Sequence, residues 1–148
     1  MLRYVLAAFL LLACAPAPAQ VSGVTQLTGA DRQQKLEAGA KREGKLLLYT
    51  TGTQIEPLIK RFQEKYPFIA VEQLRVDPQQ AAARAMQEYA GGLHAVDGFE
   101  LTSFSLAPLR AQHMLAPLAS PELAAYTDGA IGPDRQWVVV RESYAGVG

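Results

Sequence analysis

The sequence predicts an α/β domain with a mostly parallel sheet and helices on both faces. Short apolar runs of strand length alternate with segments whose apolar residues recur at helical spacing, the pattern of βαβ units. The first run, Leu46-Leu47-Leu48-Tyr49, is continuously apolar, as a strand buried on both faces requires. Two of the helical segments carry a proline in their first turn (Pro57 and Pro78), where its missing N–H costs nothing.

Taken in order, Asp31 to Arg42 reads as a helix with Leu36 and Ala40 on one face and Gly44 as its stop. Lys45 to Thr50 is the first strand, bounded by Gly44 and Gly52. Thr51-Gly52-Thr53-Gln54 turns into a second helix, whose Ile55, Leu58, Ile59, Phe62 and Tyr66 share one face and which Pro67 ends. Ile69 to Val76 is the second strand. Asp77 caps a third helix, with Ala82, Ala85, Met86 and Tyr89 inward and Gly91-Gly92 at its end. Leu93 to Leu101 holds a third strand, weakened by Gly98 in its middle. Thr102 or Ser103 caps a helix through Leu106, Leu109 and Arg110. Met114 to Leu118 is a short extended piece, Ser120-Pro121-Glu122-Leu123 starts another helix, and Trp137 to Arg141 is a strand by composition.

The 148 residues include 14 Lys+Arg against 14 Asp+Glu, so no basic field invites a nucleic acid. One cysteine excludes an internal disulfide framework and any zinc site of several thiolates. His94 and His113 leave little material for a histidine metal centre, and no metal or cofactor follows from these residues. The G-x-S-x-G and H-E-x-x-H patterns of hydrolases are missing, as is the P-loop. With those gaps, nothing in these residues argues for an enzyme.

Met1 to Ala19 has the form of a secretory signal peptide. Arg3 opens it, an apolar run spans Tyr4 to Cys14, and Ala17-Pro18-Ala19 offers a cleavage site before Gln20. The run is short of the roughly 20 residues a spanning helix needs. Leu11-Leu12-Ala13-Cys14 also resembles a lipobox, which would make the protein a lipoprotein anchored through Cys14; export follows in either case. Residues 20–30 read as a flexible lead-in and 31–148 as the folded part. Without Asn the chain has no N-glycosylation sequon.

In an open α/β sheet, ligands bind at the carboxyl ends of strands, near a switch in strand order. Three loops qualify. Thr50, Thr51 and Gly52 leave the first strand with hydroxyls, a glycine open to close approach, and a helix N-terminus; the alternative is that the threonines only cap the helix. Thr102 and Ser103 follow the third strand with the same two readings. Arg141 and Tyr144 follow the last strand, where an arginine can grip a carboxylate or phosphonate; the alternative is a surface pair with Glu142 or another acid. Arg75 is a weaker fourth candidate. Asp97 and Glu100 could be read as an acid pair, but residues three apart on one strand face opposite ways, which weakens a shared site.

The order of segments carries a resemblance. Ala40-Lys41-Arg42-Glu43-Gly44-Lys45 with Leu46 to Thr50, then Phe62-Gln63-Glu64-Lys65-Tyr66-Pro67, then Val71-Glu72-Gln73-Leu74-Arg75, is similar to the extracellular solute-binding proteins of bacterial ABC importers. The ferric-iron-type family, which also takes phosphonates, polyamines and thiamine, is the nearest match. Met114 to Leu123 and Trp137 to Arg141 resemble further stretches of it, so that the likeness spans nearly all of residues 31–148. The resemblance implies the first lobe of a type II periplasmic-binding-protein fold, incomplete before the second lobe, in a periplasmic monomer that hands a small polar or anionic solute to a membrane permease. It implies iron less well, since the Thr51-Gly52-Thr53 loop lacks the histidine of the iron binders. The competing readings are a small exported α/β enzyme such as a hydrolase, and a lipid-anchored binding module.

Overall fold

The architecture was read from a computed structural model, which describes residues 23 and 25–142. The signal segment, Cys14, Ser143 and Tyr144 lie outside the described residues. The described part is an α/β unit around a small, open, three-stranded parallel sheet.

Helix α1 (Arg32–Glu43) ends at Gly44, whose φ of 70° is the left-handed cap that favours glycine. Strand β1 (Lys45–Thr50) follows directly. A 3₁₀ turn (Thr53–Ile55) then leads into α2 (Glu56–Lys65). Strand β2 (Ala70–Arg75) precedes α3 (Pro78–Ala90), and the Asp77 carboxylate accepts from the N–H groups of Gln79 and Gln80. Strand β3 (Gly98–Glu100) precedes α4 (Ser103–Ala111). A second 3₁₀ turn (Pro121–Ala125) stands where an α-helix was expected after Ser120, whose hydroxyl caps it.

The strand order is β2-β1-β3, all parallel. Leu46 pairs with Val71, Tyr49 with both Leu74 and Phe99, and Thr50 with both Arg75 and Glu100. Alternation therefore places Leu47, Tyr49, Leu74 and Phe99 on one face and Leu46, Leu48 and Val71 on the other. The first face carries the core. Tyr49 and Leu109 are fully buried against Ala81, Ala82 and Ala85, whose small side chains let α3 lie close to the sheet. The second face meets α2 through Ile59 and Phe62, with an apolar groove of about 220 Å³ left between them.

One strand expectation is narrowed and one needs correction. Within residues 93–101 the strand is confined to Gly98–Glu100: Leu93 N–H turns back to Glu88 O, and just before the strand Asp97 is tied to Leu47, its N–H donating to Leu47 O and its carboxylate accepting from the Leu47 N–H at 2.7 Å. Gly98 itself lets β3 approach, since a Cβ there would lie 2.9 Å from Leu48 Cδ2. Trp137 to Arg141 forms no strand. It makes one antiparallel bridge, Val138 with Ile131, inside a local turn in which Gly132 N–H donates to Trp137 O and Val139 N–H to Ala130 O. At Gly132 any side chain would collide with the Trp137 indole, so the segment spends its pairing locally. Residues 25–27 are tied to residues 117–119, by Ala119 N–H to Thr25 O and by Gln26 Nε2 to Pro117 O.

Candidate functional site

The β2-β1-β3 order creates a switch point. The chain leaves β1 for β2 on one side, then passes back across β1 to β3 on the other. The loops after β1 and β3 thus diverge from neighbouring carboxyl ends, the place where open α/β sheets form ligand crevices. Thr51 and Gly52 stand on one side of this crevice, Thr102 and Ser103 on the other.

At its centre is a residue that sequence reasoning set aside. Glu100, the last residue of β3, accepts from both the N–H of Thr51 (3.0 Å) and its Oγ1 (3.1 Å) on a single oxygen, Oε2. Its other oxygen lies 3.6 Å from Nη2 of Arg141. The Glu100 side chain is 19% exposed and that of Arg141 47%, so the carboxylate is the more buried partner of the pair. Register explains the placement: Glu100 is the β3 partner of Thr50, so its side chain lies on the same face and next to the β1 loop. Its position at a strand's carboxyl end was the available signal, and the identity of the neighbouring strand was the missing one.

The other candidates divide. Thr50 is fully buried, and its hydroxyl accepts from Gln73 Nε2 at 2.7 Å, which braces β1 against β2 from beneath the crevice. Neither Gly52 nor Ile55, the residues preceding the 3₁₀ turn and α2, gives a side-chain cap, and Thr51 turns to Glu100 instead. The space above Gly52, expected to admit a ligand, is taken by the Gln54 side chain, which a Cβ would strike. Thr102 is the N-cap of α4, its Oγ1 accepting from Ser105 N–H and pairing with Ser105 Oγ. Ser103 is exposed in the first turn, next to Phe104, which is 89% exposed. A phenylalanine so open to water, at the rim of a polar crevice, was not singled out from the sequence. Val140, beside Arg141, is also exposed.

Arg75, the β2 partner of Thr50, pairs with Glu56 at 3.6 Å on the open surface. Further groups lie elsewhere. His94 stacks edge-on against Tyr89, and His113 ends α4 with a φ of 54°. Asp134 receives Arg110 at 2.7 Å and the N–H of Gln136; burial acts to raise its carboxyl, but these bonds outweigh it and hold it below the ordinary range. A cavity of about 430 Å³ forms an open basin along α2, lined by Glu56, Ile59, Lys60, Gln63, Glu64 and Gln73. Among the described residues no cluster of three or more His, Cys, Asp or Glu is arranged to hold a metal ion. Nor is any helix among them long and apolar enough to cross a membrane.

Behind the crevice, next to Thr50, Tyr49 donates to both Glu88 oxygens (2.9 and 2.8 Å), and Arg84 Nε reaches the same carboxylate at 2.7 Å. The Arg84 bond, opposed by burial and aided by Tyr49, holds Glu88 below the ordinary carboxylate range. Burial first, and then the Glu88 bond, push the Tyr49 phenol up. This cluster fixes β1 to α3.

No protein-family model matches the chain, and neither does any curated protein sequence.

Proposed function

We propose that the chain is the substrate-binding component of a bacterial ABC importer, exported across the inner membrane, and that the described residues form part of the first lobe of a type II periplasmic-binding-protein fold. The observation that carries this is the strand order. It brings the loops after β1 and β3 to one switch-point crevice, with hydrogen-bond donors, a guanidinium and an exposed aromatic at its edge. A small solute with an acidic or polar head would seat against Thr51 and Arg141, and Phe104 would shield it from the side.

Capture then proceeds by hinge closure of a second lobe over the solute, with the closed form presented to a membrane permease. The described residues supply one wall of that cleft. One wall gives few contacts, so affinity for the solute is weak when only this wall is engaged.

The test is a panel of solutes that carry further contact groups beside the polar or acidic head (amino acids, aminophosphonates, polyamines), titrated into the chain by calorimetry and amide NMR. The expected result is millimolar binding, with shifts confined to residues 51–54, 100–104 and 141. Micromolar affinity would contradict capture between two lobes, and shifts centred on the α2 basin would contradict the site.

A further inference from the structure

The donors at the switch point already hold an anion that belongs to the chain. Thr51 N–H and Thr51 Oγ1 converge on one oxygen of Glu100, and the Arg141 guanidinium faces the other. A backbone N–H, a hydroxyl and a guanidinium around one carboxylate are the set that recognises carboxylates and phosphoryl groups. We infer that Glu100 is a built-in occupant of an anion seat, and that the acidic head of a solute binds by taking its place. The inference rests on the crevice being a solute site; it does not depend on transport or on a second lobe.

Two features make the exchange feasible. Glu100 closes a three-residue edge strand whose backbone pairing with β1 does not involve its carboxylate, so the side chain can leave without breaking the ladder. Its side chain also lies on the face opposite the Tyr49 core. Sharing is disfavoured, because a second anion within about 4 Å of an ionised carboxylate is repelled. The consequence is selectivity. Bare small anions are turned away, and a solute enters only if its other groups make contacts that offset the displacement of Glu100.

The test uses the isotope-labelled full chain, titrated separately with inorganic phosphate and with acetate while the Thr51 amide is followed by NMR. In the native chain the Thr51 amide stays put through the millimolar range. In Glu100→Ala it shifts saturably, with affinity raised about tenfold or more, the size expected when one charge-assisted competitor is removed. Glu100→Gln keeps the side-chain volume without the charge, so it falls between the two, and unchanged α1 amides show that both variants are folded. Adding Arg141→Ala to Glu100→Ala weakens binding again. Equal binding by the native chain and Glu100→Ala would overturn the inference while leaving the crevice as a solute site. A Thr51 amide that no variant renders responsive, or a response indifferent to Arg141→Ala, would overturn the seat itself, whatever the solute panel shows.

Discussion

Tyr49→Phe isolates one bond at the joint between β1 and α3. The ring is 1% exposed, and phenylalanine keeps its packing against Phe99, edge-on at 6.0 Å, and the cluster of alanines. What is lost is a phenol donating to both oxygens of Glu88. A hydrogen bond to a charged partner contributes about 1.5–3 kcal/mol. Glu88 keeps Arg84 and some access to water, its side chain being 15% exposed, so it is not stranded and the lower part of that range applies. The expected cost is about 1.5–2 kcal/mol, or about 0.75–1 M in urea midpoint for an m-value near 2 kcal/mol/M. The pH profile gives an independent check. Because the folded phenol is raised, its contribution is complete below the ordinary phenol value and lost as pH climbs through the raised one. Tyr49→Phe therefore removes part of the alkaline fall in stability. Because Glu88 is lowered, its contribution is complete above the ordinary carboxylate value and lost as pH drops through the lowered one. Arg84 preserves most of that acid-side fall in the variant. Urea denaturation from acid to alkaline pH reads both effects. A variant within about 0.3 kcal/mol of the native chain, with an unchanged alkaline limb, would show that the bond contributes nothing in solution.

Leu109→Ala empties a fully buried position at the centre of the core and is expected to cost about 2–5 kcal/mol, measured by the same denaturation. Against the 5–15 kcal/mol typical of a domain, that brings the chain near its unfolding threshold. Gly44→Ala forces a side chain into φ 70° at the α1 cap and costs about 1 kcal/mol, read as a lower melting temperature.

The elements that local chemistry specifies were legible in the sequence. Gly44 before an apolar tetrad gave β1 its bounds, and Asp77-Pro78 gave the start of α3. Each signal lies within a few residues of what it determines. Trp137 to Val140 shows the limit, because β-favouring composition says nothing about a partner. The segment turned back on Ile131 because Gly132 leaves room for the Trp137 indole. Glu100 shows a second limit. Alternation along one strand correctly separated it from Asp97, which bonds the Leu47 N–H instead. Its true partner, Thr51, is 49 residues away and becomes its neighbour only once β3 is known to lie beside β1. The same pairing bears on the two readings left open at Arg141, which approaches an acid, Glu100, at 3.6 Å, a neighbour through the fold and distant along the chain.

The two faces of the sheet differ in a way that bears on what the crevice can do. The α3 face is closed by Tyr49, three alanines and Leu109, while the α2 face keeps an open groove and leaves Leu58 59% exposed. Thr50 and Glu100 share the α2 face, so the groups that would move when a solute enters are attached to the less constrained half of the domain. Thr50 is pinned there by Gln73, whereas Glu100 is held only by Thr51 and Arg141, among the bonds resolved at its carboxylate. A seat with one fixed floor and one releasable occupant can exchange its anion without disturbing the core that keeps it in place. Low local packing on one face is what permits such a rearrangement at small cost, and the rigid Tyr49–Glu88–Arg84 joint on the other face keeps β1, and therefore Thr51, in position throughout.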